Sequence, residues 1–422
     1  MATAVQIILF LVLSYKLVHL FSKKTTGVEV AFFLVVLSCF YLIRGLSDLM
    51  IILVTILLIT QTKKVPHHSI CRAYILFLFY SFFNFLFLSE GYYYGMMMLY
   101  KLSLPLLFLL CGYNLISCRE DYISLLKRIC QLIPLVAVLS SYPISLLQQY
   151  ISPVFKSWCA GDAELFCILF IIPISYYIIT NNKNILYRCL YCCLPSLTMI
   201  RRTVLGAQVL SSAVYVTYKT GFRAVFIVTI LSIIVFLSVI RIPQFSTRLF
   251  GDNADLVKEL SVTDFVEISK YIDTSGRTAA WDLVTDMFYK NNEVWGCGLG
   301  TMKTFLRSGQ DQDMKEFEML HNDHLHLKIE LGKVGYTFFI IFFIVSVLSY
   351  IKDLRTIKHD SIIIASSIAS LSMTICVFFC MFFSNMLSQV YEICMCFMFI
   401  GIHLRLKRMT YYAPSNLTTK LL

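Results

Sequence analysis

The stretch HNDHLHLKIELGKVGYTFFIIFFIVSVLSYI, from His321 to Ile351, joins two kinds of sequence. As far as Tyr336 it carries three histidines, two acids and two lysines. The residues that follow are almost all apolar and have the length of a helix that crosses a hydrocarbon core of about 30 Å. The chain therefore places a dense set of ionisable groups immediately before a predicted membrane helix.

The whole composition is that of a membrane protein. The 422 residues are 58% hydrophobic and 14% charged, whereas soluble domains are about 25% charged. The mean hydropathy is +0.74. Apolar runs of membrane-spanning length recur along the chain and predict an all-α, polytopic integral membrane protein with about twelve to fourteen transmembrane helices. Thirteen are predicted, at residues 3–21, 28–43, 48–61, 73–89, 93–116, 129–147, 164–180, 185–200, 203–218, 223–241, 335–351, 361–384 and 387–404.

The basic residues predict the orientation of this bundle. Alternate connections and the C-terminal segment hold 19 lysines and arginines, and the opposite short connections hold four. Cytoplasmic connections are enriched in these residues, so the side with 19 is predicted to be cytoplasmic, with the C-terminus on that side and Met1 on the other. The net charge of +11 then reflects topology, and it does not indicate nucleic acid binding.

One hydrophilic excursion divides the chain into four segments. Residues 242–334 contain 15 of the 25 acids and are predicted to form a large loop with short helices on the non-cytoplasmic side. A loop of this size is usually functional. It is preceded by an N-terminal bundle of about ten helices at 1–241. Three transmembrane helices at 335–404 and a cytoplasmic tail at 405–422 follow it.

His321 is the first candidate for chemistry. Residues 323–331 can form a short helix, for which Asn322 is a good N-cap and Gly332 a good residue after the end. His321 then lies before the helix N-terminus, where the helix dipole disfavours imidazolium and attracts anions. A neutral histidine beside an anion suits a general base. The alternative is a surface histidine at a membrane interface.

The three histidines could instead bind a metal. His321 and His324 are three residues apart and could share a helix face, but His326 points elsewhere in a regular helix. The chain has no HExxH pattern, and its fifteen cysteines form no paired CxxC framework. The sequence therefore predicts no metal site.

Arg277 lies on a predicted helix, SGRTAAWDLVTDMFY, that ends near Tyr289. Apolar residues follow it at helical spacing on one stripe: Trp281, Val284 and Phe288. An arginine on such a stripe needs an anionic partner when it is buried. It could grip a diphosphate with its two-pronged guanidinium group. It could equally pair with an acid such as Asp273, or extend its charge to solvent.

Four further charges lie in or beside predicted membrane helices. Arg201 and Arg202 are predicted on the non-cytoplasmic side, where they could meet lipid phosphate or a phosphate-bearing substrate. Lys101 and Glu392 lie inside apolar runs, and charges there are functional candidates. They could also pair with each other as a structural brace.

The order of these pieces resembles a known family. IRRT, SGRTAAW, VWGCGLG and HN-x9-G-x-x-G follow one another, the last formed by His321, Asn322, Gly332 and Gly335. In the third, the stretch WGCGLG favours a tight turn over a dinucleotide site, since no strand precedes it. From about Ile185 to the C-terminus the sequence resembles the O-antigen polymerase and O-antigen ligase superfamily of bacterial surface-polysaccharide enzymes.

The resemblance implies a GT-C-like membrane glycosyltransferase that takes sugar from undecaprenyl diphosphate without a metal or other cofactor, and with inversion. His321 would deprotonate the acceptor hydroxyl, and Arg277 with Arg202 or Arg201 would hold the donor diphosphate. Three further residues are expected at the substrate: Asn322, Lys101 and His324.

The implied partners are the undecaprenyl-diphosphate-linked donor and acceptor, membrane lipids and a chain-length regulator in the membrane. The implied location is the bacterial inner membrane, with the large loop in the periplasm. WGCGLG before the HN motif looks more like a polymerase of repeat units. The alternative is a ligase that moves glycan to lipid A-core. A transporter of lipid-linked sugars is a third interpretation, although neither internal repeats nor broken helices are evident.

Overall fold

The structure is a computed structural model that describes residues 29, 65–139, 164–198, 202–221, 223, 226, 277–308, 320–387 and 390–412. These residues form helices and turns, with no strand among them. The predicted helices 3–21, 28–43, 48–61 and 223–241 lie outside the described residues, apart from Glu29, Arg223 and Phe226. The helices are α1 (Ser69–Leu88), α2 (Tyr92–Leu115), α3 (Arg119–Leu139), α4 (Leu165–Thr180), α5 (Tyr187–Thr198), α6 (Arg202–Thr220), α7 (Arg277–Val284), α8 (Thr301–Ser308), α9 (Asp323–Thr356), α10 (Ser361–Cys380) and α11 (Tyr391–Tyr412).

The protein is an all-helical, polytopic membrane protein. Four described helices, α1, α2, α9 and α10, are long and apolar enough to cross a membrane. The predicted fold class is thereby confirmed, while the total of twelve to fourteen spans stays a prediction. α10 is the most enclosed of the four, with 78% of its apolar window buried inside the protein. It is rich in alanine and serine, and such small residues let membrane helices approach closely.

Glycines bring α2 and α11 together. A Cβ atom on Gly112 would lie 2.1 Å from the carbonyl oxygen of Met398, and one on Gly401 would lie 2.0 Å from that of Leu109. Each glycine therefore faces the backbone of the other helix, and any larger residue would force the two apart. This crossing fixes α2, which carries Lys101, against α11.

Several helices differ in length from the prediction. α3 begins at Arg119 rather than at residue 129, because its charged first turns have partners: Arg119 pairs with Asp360, and Arg128 lies 3.1 Å from the buried carboxylate of Glu29. α10 ends at Cys380, four residues early. α11 continues to Tyr412 rather than 404, so the first residues of the predicted tail are helical and pack on the bundle.

The described part of the large loop has an apolar cluster of its own. Val284, Tyr289, Met302, Leu306, Leu320 and Ile329 are buried together there, apart from the core of the membrane bundle. Trp281 and Phe288 pack against this cluster, as their stripe predicted. The helix predicted to end near Tyr289 does so, with a π-helical turn over Thr285–Tyr289. The loop is thus seated on the first turns of α9.

Candidate active site

The HN-x9-G-x-x-G segment folds as predicted at both ends. Asn322 caps α9, its side-chain oxygen accepting a hydrogen bond of 3.0 Å from the amide of Leu325. Gly332 has φ 66° and ψ −174°, a conformation that is essentially restricted to glycine, and it breaks α9 into two helical parts. The residues before this break belong to the loop, and the long apolar part follows it.

The glycine-rich turn WGCGLG supplies hydrogen-bond partners for the backbone groups at this break. The amides of Cys297 and Gly298 donate to the carbonyls of Ile329 and Glu330, each at 3.0 Å. In return, the amide of Lys333 donates to the carbonyl of Glu293 at 2.7 Å. Backbone groups that the break removes from the helix ladder thus find partners in the turn. The turn predicted from WGCGLG is confirmed.

Two glycines allow the turn and the break to meet. A Cβ atom on Gly296 would lie 2.2 Å from the carbonyl oxygen of Glu330, and one on Gly332 would lie 2.4 Å from the amide nitrogen of Gly296. The two sequence motifs are therefore parts of one structural unit, which we call the glycine junction (residues 293–300 with 329–334).

α1 anchors the glycine junction to the membrane bundle. Asn84, which is fully buried, donates to the carbonyl of Trp295 at 2.9 Å and accepts from the amide of Leu299 at 2.9 Å. The Tyr80 hydroxyl donates to the carbonyls of Trp295 and Leu331, each at 3.1 Å. These two side chains fix the position along α1 at which the glycine junction contacts the membrane helices.

His321 lies on the loop side of the junction in a left-handed backbone conformation, with φ 51°. Residues other than glycine rarely adopt this conformation, and it is often found at functional sites. The indole nitrogen of Trp281 donates to the carbonyl of the preceding Leu320 at 2.7 Å. The loop helix α7 is thereby tied to the residue beside His321.

Asn385 contacts the His321 ring. Its side-chain nitrogen lies 3.1 Å from Nδ1 of His321. Asn385 belongs to the turn between α10 and α11, and buried Asp323 holds this turn from both sides. The Asp323 amide donates to the carbonyl of Met381 at 2.8 Å, and its carboxylate accepts from the amide of Leu387 at 2.9 Å. Asp323, two residues after His321, thus positions the group that touches the histidine.

A cleft, or open cavity, adjoins His321, and its empty space, counted together with the solvent open to it, is about 590 Å³. Both Leu320 and Asn385 belong to its wall, so the histidine is one residue away along the chain and one side chain away in space. Lys101, on α2, also belongs to its wall, and its role in substrate binding stays a prediction. The cavity is lined by Tyr94, Met97, Met98, Lys101, Met302, Lys303, Leu306, Leu320, Asp323, His326, Asn385 and Leu387.

The other two histidines of the segment have partners within the protein. His324 is buried, with Nε2 2.9 Å from the carbonyl oxygen of Phe378 and Nδ1 3.2 Å from the Tyr336 hydroxyl. These are the contacts of a core histidine, and the predicted role of His324 in substrate binding stays a prediction. Nε2 of His326 lies 3.2 Å from the carboxylate of Glu330, one turn later. Within the described residues, no three metal-ligating side chains converge.

The remaining candidates differ in how far the structure describes them. Arg277 and Arg202 are the first residues of α7 and α6, and Arg201 lies outside the described residues. Glu392 is buried in the first turn of α11, and its pairing with Lys101 stays a prediction.

Two ionisable groups of the glycine junction are shifted by their surroundings. Burial raises the pKa of the Cys297 thiol, so this cysteine stays protonated and is a poor nucleophile. A hydrogen bond from Lys333 lowers the pKa of the exposed Glu293 carboxylate. Neither of these two groups is suited to proton transfer near neutral pH.

Asn385 was missed by sequence reasoning. The signal available was weak: the polar pair Ser384–Asn385 interrupts an otherwise apolar sequence between two predicted helices. Nothing in that interruption indicates which of the distant loop residues it meets.

A comparison with protein families matches residues 189–340 to the O-antigen ligase family model. The match covers the region that carries the resemblance noted in the sequence, from α5 through the glycine junction into α9. It confirms the resemblance to the O-antigen polymerase and ligase superfamily over these residues. A search of curated proteins finds no match to the chain.

Proposed function

We propose that this protein is a polymerase of O-antigen or capsular repeat units, which joins oligosaccharides carried on undecaprenyl diphosphate. The observation that carries the proposal is His321, held in a left-handed backbone conformation at the edge of a cavity that contains Lys101 and Asn385. Its sequence context is the family match over residues 189–340.

His321 acts as the general base. It takes the proton of the acceptor hydroxyl while the acceptor oxygen attacks the anomeric carbon of the donor sugar. The bond from that carbon to the diphosphate breaks on the opposite face, and the diphosphate leaves with the electron pair. The anomeric centre is inverted. Because the diphosphate is a good leaving group, the step needs no metal to activate it.

Asn385 selects the tautomer of His321. The base needs a lone pair on the nitrogen that faces the substrate. If the amide oxygen of Asn385 accepts a hydrogen bond from Nδ1–H, the proton stays on Nδ1 and Nε2 keeps that lone pair. A half-turn of the amide exchanges its oxygen and nitrogen at the 3.1 Å contact with Nδ1. The catalytic state is the one in which the oxygen faces the ring.

Arg277 and Arg202 hold the donor diphosphate, with Arg201 as the neighbour that could substitute for Arg202. Each of the first two begins a helix, where the helix dipole also favours anions. α7 is fastened to the His321 turn through Trp281 and Leu320. This link supports a donor site within reach of the base.

The loop lies in the periplasm and the C-terminus in the cytoplasm. Basic residues from the predicted cytoplasmic connections meet at the end of the bundle away from His321: Arg119 pairs with Asp360, and Lys407 with Asp353. This clustering agrees with the positive-inside rule for an inner-membrane protein. The lipid-linked donor and acceptor then approach from the periplasmic leaflet, where a chain-length regulator would also act.

Deletion of the gene tests the proposal. Loss of a polymerase leaves lipid A-core capped with a single repeat unit, and the ladder of longer glycans on a gel disappears. In a capsule-producing host, the high-molecular-weight polymer disappears instead. A ladder of unchanged length would reject the transferase proposal.

The second candidate is a ligase, which the description of the matched family favours. Its loss would leave bare core and accumulate long glycan on the undecaprenyl carrier. The same deletion strain thus distinguishes the two transferases, and His321 and Arg277 keep their chemical roles in both.

A further inference from the structure

The glycine junction carries two exposed apolar side chains. Val294 is 50% exposed and Trp295 is 58% exposed, although hydrogen bonds from Tyr80 and Asn84 hold the carbonyl of Trp295. The backbone is thus fixed while both side chains reach the surface. Tryptophan is enriched at interfaces where one side is apolar and the other is wet. The proposed reaction uses neither residue, so their exposure needs a separate explanation.

The contacts with α1 give the depth of Trp295. Asn84 lies four residues before the end of α1 at Leu88, which corresponds to about 6 Å along the helix, and Tyr80 lies one turn further in. α1 is long and apolar enough to cross a membrane. A carbonyl bound by both of these side chains therefore lies inside the end of the apolar span rather than above it.

The exposed stripes of two membrane helices lie beside this point. On α1, the residues just before Tyr80 and Asn84, and the next one at the same spacing, are exposed: Phe79, Phe83 and Phe87. On α9, exposed residues recur at helical spacing after Lys333: Thr337, Ile341, Ile344 and Leu348. The amide of Val334 donates to the carbonyl of Val294 at 3.2 Å, so the junction meets the start of the α9 stripe. Exposed apolar stripes on membrane-spanning helices face lipid, and the two junction side chains extend them.

The backbone of the junction is suited to a layer with little water. In lipid, backbone polar groups need partners within the protein, and non-helical backbone at membrane depth is tolerated only where it has them. The carbonyls of residues 293–295 all accept hydrogen bonds from α1 or α9, and the amides of residues 296–299 all donate. A loop in water could leave such groups to the solvent, so their pairing favours a position at the membrane.

We propose that Val294 and Trp295 insert into the interfacial layer of the lipid bilayer and fasten the glycine junction to it. The partner is the lipid itself, at the level where headgroups meet acyl chains. Glu293 and Lys333, which pair with each other and are exposed, form the charged rim of this contact on its water side. The exposed pair Tyr92–Tyr93 at the start of α2 adds aromatic rings to the same end of the bundle, as in an interfacial aromatic belt.

Fluorescence quenching of the purified full chain in nanodiscs tests the proposal. The chain has three tryptophans, Trp158, Trp281 and Trp295, so the emission of the wild type minus that of Trp295→Phe isolates Trp295. Phosphatidylcholine brominated either near the headgroup or near the chain ends measures the depth of the indole. Iodide measures its contact with water.

Two added reporters are each measured against the wild type. Val294→Trp places a second indole on the proposed surface, and its result does not depend on the folding of Trp295→Phe. Lys290→Trp is the matched control, because Lys290 is an exposed loop residue paired with Asp286. None of these measurements uses transfer activity, so the result is independent of the proposed function.

Trp295 and the indole of Val294→Trp should lose about twice as much emission to bromine near the headgroups as to bromine near the chain ends, as expected at headgroup level. Iodide should quench them weakly. The indole of Lys290→Trp should instead be quenched by iodide and hardly at all by bromine. Strong iodide quenching at the junction, as expected of a sugar-binding surface in water, would overturn the proposal. Protection from both quenchers would also overturn it, because a second copy of the chain would then cover the surface.

Discussion

Two histidines near opposite ends of the helix bundle, His321 and His403, have different surroundings. His403, on α11, is completely buried; Nε2 lies 3.0 Å from the Asp353 carboxylate and Nδ1 lies 3.0 Å from the Ser366 hydroxyl. Lys407 completes this network at 2.6 Å from the other oxygen of Asp353. From Asp353 back to the break at Gly332, the unbroken part of α9 is about 30 Å long, and His321 lies beyond that break. It is half-buried at the edge of a cavity.

The difference separates a structural histidine from a functional candidate. In the Asp353–His403–Lys407 network, each charged group has a partner from the protein, and this closed arrangement joins α9 to α11. At His321 the backbone is left-handed, the Asn385 amide contacts the ring, and a cavity adjoins the residue. Judged by burial and ionisable neighbours alone, His403 would be the stronger candidate for a catalytic histidine. The cavity beside His321 makes His321 the stronger candidate instead.

The largest expected effect follows from removing the base. His321→Ala should lower glycan transfer by about a thousandfold, within the range of general base catalysis. Protein abundance and thermal unfolding should change little, because the ring is half-buried and contributes little packing. Transfer assays on the purified protein, with unfolding followed in parallel, measure both quantities. Near-normal transfer would mean that His321, like His403, has a structural role.

The glycine junction offers the next largest effect. Gly296→Ala adds a Cβ atom 2.2 Å from the Glu330 carbonyl oxygen at a residue with φ 85°. Displacement of the junction by about 1 Å is expected to reduce transfer on the order of a hundredfold, because the reaction geometry depends on it.

Gly221→Ala is the matched control for this prediction. Gly221 has a similar φ of 81°, and no residue that the structure describes would lie within 4 Å of a Cβ atom there, so the variant carries the backbone strain without a collision with these residues. Comparison of the two variants in transfer and unfolding assays isolates the effect of the close approach. Equal losses in both variants would show that strain alone matters.

Local sequence was sufficient to predict parts of this region. The cap at Asn322, the break at Gly332 and the turn at WGCGLG each depend on a few consecutive residues, and all were predicted. The packing of these parts into one glycine junction was not predicted. It depends on Asn84 and Tyr80, which lie more than 200 positions earlier in the chain. Long-range contacts of this kind leave little local trace.

The same limit applies to the individual site residues. Lys101 could be singled out because a charge in an apolar run is conspicuous. Asn385 could not, since one polar residue between two helices is ordinary. His324 was assigned to the substrate from its neighbours in sequence, and the sequence did not indicate that its ring would pack among aromatic residues. Helical periodicity alone could not determine which face meets the bundle.

A smaller effect is expected from the residue that touches His321. Asn385→Leu removes the hydrogen bond to Nδ1 and should lower the turnover number about tenfold. This loss is smaller than that of His321→Ala, because the base remains and only its tautomer is no longer fixed. Asn385→Asp keeps an oxygen at that position and should recover most of the activity. A purely structural asparagine would show the opposite order, since a second carboxylate beside Asp323 destabilises the turn. Turnover numbers and unfolding temperatures of both variants distinguish these outcomes.

The smallest effect on turnover is expected at the far end of the bundle. Asp353→Asn leaves His403 and Lys407 without their anionic partner in a buried site, which should lower stability by about 3 kcal/mol. The folded fraction should nevertheless turn over within about twofold of the wild type, since general base catalysis requires contact with the reacting proton and Asp353 is a full helix length from His321. Transfer activity divided by the folded fraction, obtained from unfolding curves, is the quantity to compare. A tenfold loss in that ratio would show that the two ends are energetically coupled, and the distinction between a closed structural network and an open site would then fail for this protein.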